Sequence, residues 1–254
     1  MNIIVLLKMV PDLVEELVID PGGKGLDLDW LRWKPNEFDE HAVEQAILIK
    51  ERQGAQVTVI SPDMDGADDA LFTASAKGAD RLVKLMGDFA TGVNNHALAR
   101  ALGEYLPELK PDLILTGVQA HNDLDGSLGP LLAEYCELPY LGYVAGIDVR
   151  EGKAIVRKEH PGGIVAEMDV ELPAVLGIQA AEQAPRYIAF SRIRQAMKAA
   201  TIEAYELPTL DARGAADIAL MKQVESGERA QMLVGDLDQV ADRIVQVLHE
   251  LGVV

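Results

Sequence analysis

The residues best equipped for chemistry lie in 117-GVQAHNDLDGSLGPLLAEY-135, where glycines, amides and carboxylates run directly into an apolar segment that reads as a helix over 127–136. Gly126, Ser127, Leu128 and Gly129 fall in its first turn. Backbone N–H groups there have no intrahelical acceptor, and the aligned peptide dipoles present their positive end. Such a turn suits a phosphate. Asp123 and Asp125 oppose an anion unless they face a ribose hydroxyl or cap the helix. The residues alone leave both readings open: a phosphate cradle, or a capped turn between strand and helix. The spacing is neither a Walker loop nor GxGxxG.

Other candidate ligand residues end neighbouring apolar runs, in 7-LKMVPD-12 and 60-ISPD-63. Asn36, just ahead of a helix starting near Asp39, reads equally as a cap and as a ligand, whereas Asp39 reads as a cap. His41, His96, His121, His160 and His249 are scattered without metal-ligand spacing. Cys136 sits on an apolar helix face with no histidine nearby and reads as an inert thiol. No carboxylate pair lies beside a base, and there is no nucleophile elbow. No catalytic constellation emerges.

The elements that must position these residues follow from hydrophobic period. Continuous apolar runs at 3–10, 56–61, 81–86 and 112–117 read as parallel strands covered on both faces. Between them, 39–54, 66–80 and 94–109 carry helical apolar stripes, with Gly54 and Gly78 as stops and an Asn cap at the start of the third. This alternation predicts a Rossmann-like, doubly wound, mostly parallel sheet, with 117–129 at its carboxyl edge where such folds bind ligands. Beyond Tyr140, 143–160 and 163–179 alternate like antiparallel strands, with Glu151-Gly152 as a turn. A Pro-opened segment over 182–200 carries Arg186, Arg192, Arg194 and Lys198. Within 231–254 an amphipathic helix (Leu237, Val240, Ile244, Val245, Leu248) is capped by Asp236 and Asp238 and stopped at Gly252. No internal repeat is present.

Composition narrows the partners. With 41 acidic against 23 basic residues among 254, the net charge of -18 repels nucleic acid and anionic lipid. The single cysteine rules out an internal disulfide and fits a reducing, cytoplasmic setting. No stretch approaches the ~20 apolar residues of a membrane span, and the N-terminus reads as a strand rather than a targeting segment.

Ordered landmarks along nearly the whole chain carry a resemblance. They are 5-VLLKMVPD-12, 36-NEFDEHAVEQAILIKE-51, 76-AKGADRLVKL-85, 117-GVQA-120 with its acidic loop, 171-ELPAVLGIQ-179, 185-PRYIAFSRIRQAMKA-199 and the Leu-Gly-Val-Val tail. Together they resemble the electron-transfer flavoprotein beta subunit family. The resemblance implies an adenine nucleotide alpha hydrolase-like domain over 1–205 and a C-terminal arm and helix over 206–254 that packs on a larger alpha subunit. FAD would sit between the subunits, held mainly by the partner, with AMP, or a second FAD in electron-bifurcating members, in the beta subunit itself. Leu7, Lys8, Asn36, Ser61 and Gly117 would surround the adenosine; Gln119, Ala120 and Asp123 would line the loop; Gly126, Ser127, Leu128 and Gly129 would hold the phosphate. Leu13 and Phe38 would face the shared flavin. Pro185, Arg186, Tyr187, Phe190 and Ile193 would form the docking segment, with Phe190 its protruding anchor. The implied role is an electron carrier, taking electrons from donor dehydrogenases towards a quinone-linked acceptor without turnover of its own.

The chain departs from the family in places. It has 181-AEQAPRY-187 where relatives carry Asn-Glu-Pro-Arg-Tyr, 198-KAATIEA-204 in place of a lysine-rich stretch, and Leu13 where some carry tyrosine. The first two point to a specialised donor, and Leu13 removes a polar or stacking side chain beside the flavin. The loop 122-NDLDG-126 lacks the Asp-Gly-Asp-Thr pattern of bifurcating members, which favours AMP. A stand-alone adenine-nucleotide-binding regulatory protein would explain the strand-end loops but not 163–199. An adenylate-forming enzyme would need a Ser/Gly-rich loop where this chain has 8-KMVPD-12.

Overall fold

The first apolar run does not continue as one strand. In the computed structural model, β1 (Asn2–Leu6) stops at the edge of the main sheet, and β2 (Met9–Pro11) turns away to pair antiparallel with β3 (Trp33–Pro35). Lys8 is left at the crossing point. The structure describes residues 1–87, 89, 94–124, 126–207, 210–211, 213–224, 230 and 232–253.

α1 (Glu37–Gln53) follows, ended by Gly54 at φ 74, whose N–H donates to the Lys50 carbonyl. Then come β4 (Gln56–Pro62), α2 (Ala67–Lys77), β5 (Arg81–Met86) and α3 (Asn95–Tyr105). Asn94 caps α3 by accepting from the amides of His96 and Ala97 at 2.8 and 3.1 Å, and a 3₁₀ turn, Leu106–Leu109, extends it. β6 (Leu113–Gly117) leads through the glycine-bearing loop to α4 (Leu128–Tyr135). β1 lies between β4 and β6, parallel to both. Its alternate residues explain the continuous apolar run: Ile3 and Val5 pack with α1 and α2, while Ile4 and Leu6 pack with α3 and α4.

The later strands are β7 (Tyr140–Arg150), β8 (Lys153–His160), β9 (Ile164–Glu171) and β10 (Ala174–Ile178). β7, β8 and β9 form the expected antiparallel meander, turning at Glu151 and Gly152 with φ of 50 and 79. The antiparallel expectation fails beyond Glu171. β10 inserts parallel between β6 and β7, with all five residues buried on both faces. α5 (Phe190–Ala199) packs beside α2, and β11 (Ile202–Glu206) adds a parallel edge next to β5. β11 escaped the sequence reading because five residues with two glutamates give little period. Tyr205 on β11 stacks on Tyr105, 3.7 Å between centroids.

Met1–Met221 form one compact unit. Lys222–Val254 form another, built on α6 (Leu237–Glu250). Asp236 caps α6 in a reciprocal box with Gln239, whereas Asp238 lies in the first turn and is not the cap. None of the α6 residues is buried, and Leu237, Ile244 and Val245 are exposed. No described helix is long and apolar enough to cross a membrane.

Candidate functional site

The carboxyl ends of β4, β1, β6 and β10 lie side by side, so Ser61, Leu7, Lys8 and Gly117 meet at one edge. Beyond the last ladder bond of β1, the Lys8 amide has no strand to donate to. It donates instead to Asp39 Oδ2 at 2.9 Å, and the Gly117 amide donates to Asp39 Oδ1 at 2.6 Å. Asp39 was expected to cap α1. It sits too far inside the helix, on its third residue, and its buried carboxylate bridges two strand ends. Burial pushes that carboxyl up to about 6; the two amides and the Lys8 charge pull the other way. Gly117 has no room for a side chain, since a Cβ there would stand 2.5 Å from Asp39 Oδ1 and 2.7 Å from Phe38 Cβ.

Asn36 occupies the cap position of α1 but makes no cap bond with its side chain. Its amide N–H donates to the Lys8 carbonyl at 2.8 Å and its Nδ2 to the Gln119 carbonyl at 2.9 Å. The start of α1 is thereby tied to the first strand and to the loop.

The loop's acid is neutralised from within. The Lys8 ammonium pairs with Asp123 and also reaches Asn95 Oδ1 at 3.4 Å. Asn95 Nδ2 donates to Asp123 Oδ1 at 2.8 Å and to the Gly126 carbonyl at 2.7 Å, while the Ala120 amide donates to Asp123 Oδ2 at 2.8 Å. Both oxygens of Asp123 are thus turned inward. Asp125 lies outside the described residues. Ser127 stands at the cap position of α4 and makes no side-chain cap bond. Gly126, at φ 105, has nothing within 4 Å of where a Cβ would project. Gly129 packs its bare Cα against Thr116 and Tyr140, with Leu128 buried beside it.

Among the described residues, two buried polar side-chain atoms have no partner: Thr116 Oγ1 and Asn122 Oδ1. Neither was singled out from the sequence, nor was Asn95. The doublet Asn94-Asn95 was the available signal, because one asparagine suffices for the cap. Ser61 is fully buried and its Oγ donates to the Pro62 carbonyl at 3.3 Å. Leu7 faces α1 and α2, where it lines a cavity of about 300 Å³ with Met9, Trp33 and Lys77. Phe38 is half-buried beside Gly117, and Leu13 is exposed. Among the described residues no group of three or more His, Cys, Asp or Glu could hold a metal.

The segment 185–199 is built differently. The backbone amide and Nε of Arg186 bind Glu44 at 3.0 and 2.8 Å, and its terminal nitrogens bind Glu51 at 2.5 and 3.1 Å. Glu51, then Glu44, raise the guanidinium's affinity for its proton, and Arg186 holds the Glu51 carboxyl below its usual range. Arg186 therefore faces α1. Tyr187 and Phe190 stand out at 90% and 61% exposure, with the Arg194 guanidinium 4.6 Å from the Phe190 ring centre. Pro185 and Ile193 are half-buried.

This is an open, doubly wound α/β protein whose polar residues gather at the carboxyl edge of the sheet. Residues 29–210 match the electron transfer flavoprotein domain, and the chain belongs to that family. It is similar to the electron transfer flavoprotein subunit beta of Methylophilus methylotrophus, 31% identical over 260 aligned positions covering 98% of each chain. The subunit beta of Thermoanaerobacterium thermosaccharolyticum is 29% identical over the full length of both, and that of Bacillus subtilis 28% identical over 98% of each.

Proposed function

We propose that this chain is the beta subunit of a heterodimeric electron-transfer flavoprotein, holding AMP at its carboxyl edge and completing an FAD site shared with an alpha subunit. The observation that carries the nucleotide reading is the inward-turned Asp123. Its charge is offset by Lys8 and its oxygens are occupied, so the start of α4, where Ser127 makes no side-chain cap bond, faces no free carboxylate from Asp123. Gly126, Ser127, Leu128 and Gly129 would bind the phosphate through backbone amides, with Gln119 and Ala120 lining the loop. Leu7, Lys8, Asn36, Ser61 and Gly117 would hold the adenosine, and the unpartnered Asn122 Oδ1 offers it an acceptor.

FAD, when bound, supplies the electron-carrying chemistry. This chain's part would be to cover the flavin with Phe38 and Leu13 and to exclude water. The uncovered apolar residues of α6 suit packing of 206–254 on the alpha subunit. Arg186 would brace the docking segment so that Tyr187 and Phe190 reach a donor dehydrogenase, from which electrons pass towards a quinone-linked acceptor. The acidic surface and lone cysteine suit the cytoplasm.

Co-expression with an alpha subunit tests the reading. Mass spectrometry of the denatured complex should find one FAD and one AMP. A second FAD instead of AMP would place the chain in the bifurcating branch. Unaided ATP binding and hydrolysis by this chain would replace the carrier with a stand-alone nucleotide-binding protein.

A further inference from the structure

We propose that Asp39 is the positioning residue of the nucleotide site: its carboxylate spans the amides of Lys8 and Gly117 and sets the separation of the β1 and β6 ends that flank the adenosine. The inference rests on the nucleotide reading above. Three observations support it. The carboxylate is buried and uses both oxygens, one for each strand end, at 2.9 and 2.6 Å. Gly117 must lack a side chain for the bond to form. The same two peptides carry the rest of the site, because the Lys8 side chain holds Asp123 and the Lys8 carbonyl accepts from Asn36.

The tie is sensitive to pH. An ionised carboxylate accepts from two amides. A protonated one presents a hydroxyl to one of them, and that tie is lost. With the Asp39 carboxyl at about 6, the loosening falls between pH 7 and pH 5. The charged groups facing it are the Lys8 ammonium from the crossing between β1 and β2 and, paired to Lys8, Asp123 from the loop. His121, beside Lys8 and Asp123, is held below the usual imidazole range by burial first and then by Lys34. The sign for stability runs opposite. A carboxyl raised from 3.8 to about 6 in the folded chain makes folding more favourable as pH falls through that window. Acid should therefore release nucleotide without Asp39 titration weakening the fold.

AMP is titrated calorimetrically into the full-length chain from pH 5 to 8. Affinity should be constant above pH 7 and about tenfold weaker at pH 5. Asp39→Asn should bind weakly at every pH and keep only the shallower slope that protonation of the AMP phosphate itself contributes, its second pKa being about 6, while His121→Gln should keep the full wild-type slope. Amide exchange, corrected for intrinsic rates, should show Lys8 and Gly117 losing protection below pH 6 in the wild type and at all pH values in Asp39→Asn. A flat wild-type affinity, a wild-type slope in Asp39→Asn, or unchanged protection at those amides overturns the proposal. The wild-type titration needs no variant to fold. If the wild type binds no AMP at any pH, the nucleotide reading fails and the positioning role falls with it; exchange at Lys8 and Gly117 then still reports whether the tie itself exists.

Discussion

The carboxyl edge and the 185–199 segment solve opposite problems with similar residues. At the edge, Lys8, Asp39, Asn95 and Asp123 are spent on one another and on backbone, so the loop is shaped before any ligand arrives. In 185–199 a single arginine is committed to Glu44 and Glu51, and two aromatics are left out in water. The contrast teaches where preorganisation goes. On the proposed function, the small-ligand site would need fixed partners from every side, whereas the docking segment would need one firm root and an uncovered tip.

The contrast breaks first at Gly117. Gly117→Val forces a branched side chain against Asp39 and Phe38, and should lower stability by about 4 kcal/mol, read as a melting-temperature drop of roughly 10 °C. A melting temperature within a degree of wild type would mean the edge tolerates far more than the geometry allows. Arg186→Ala should cost about 3 kcal/mol, because the Glu44 side chain, only 1% exposed, is left as an uncompensated buried charge. Thermal unfolding gives the size, and the double variant Arg186→Ala/Glu44→Gln should recover part of it. Asn95→Ala removes donors to Asp123 and to the Gly126 carbonyl, and about 2 kcal/mol is expected from denaturant titration. The smallest change in stability belongs to Phe190→Ala, under about 0.5 kcal/mol for an exposed ring. Stopped-flow should nevertheless show donor reduction slowed about tenfold with flavin content unchanged. Lost flavin in that variant would make Phe190 an assembly residue and erase the difference between the two regions.

Much of the fold was legible because doubly covered strands are continuous apolar runs and their helices carry clear stripes with asparagine or glycine ends. β10 was not, because five buried residues give no alternation to say which neighbour they join. At the carboxyl edge, the sequence placed the loop and Lys8 at strand ends and Asn36 just ahead of α1, which is where the structure has them. The role of Asp39 was hidden, since a carboxylate in the first helical turn looks like a cap until the facing amides are placed. The inward turn of Arg186 was equally invisible, because Glu44 and Glu51 lie more than 130 residues away in sequence.

The late arrival of β10 carries a consequence for synthesis on the ribosome. Until residue 178 has emerged, β6 has only one neighbour and presents a bare apolar border to other nascent chains. Fragments cut before Ala174 should therefore clump, whereas those ending after Ile178 close the border.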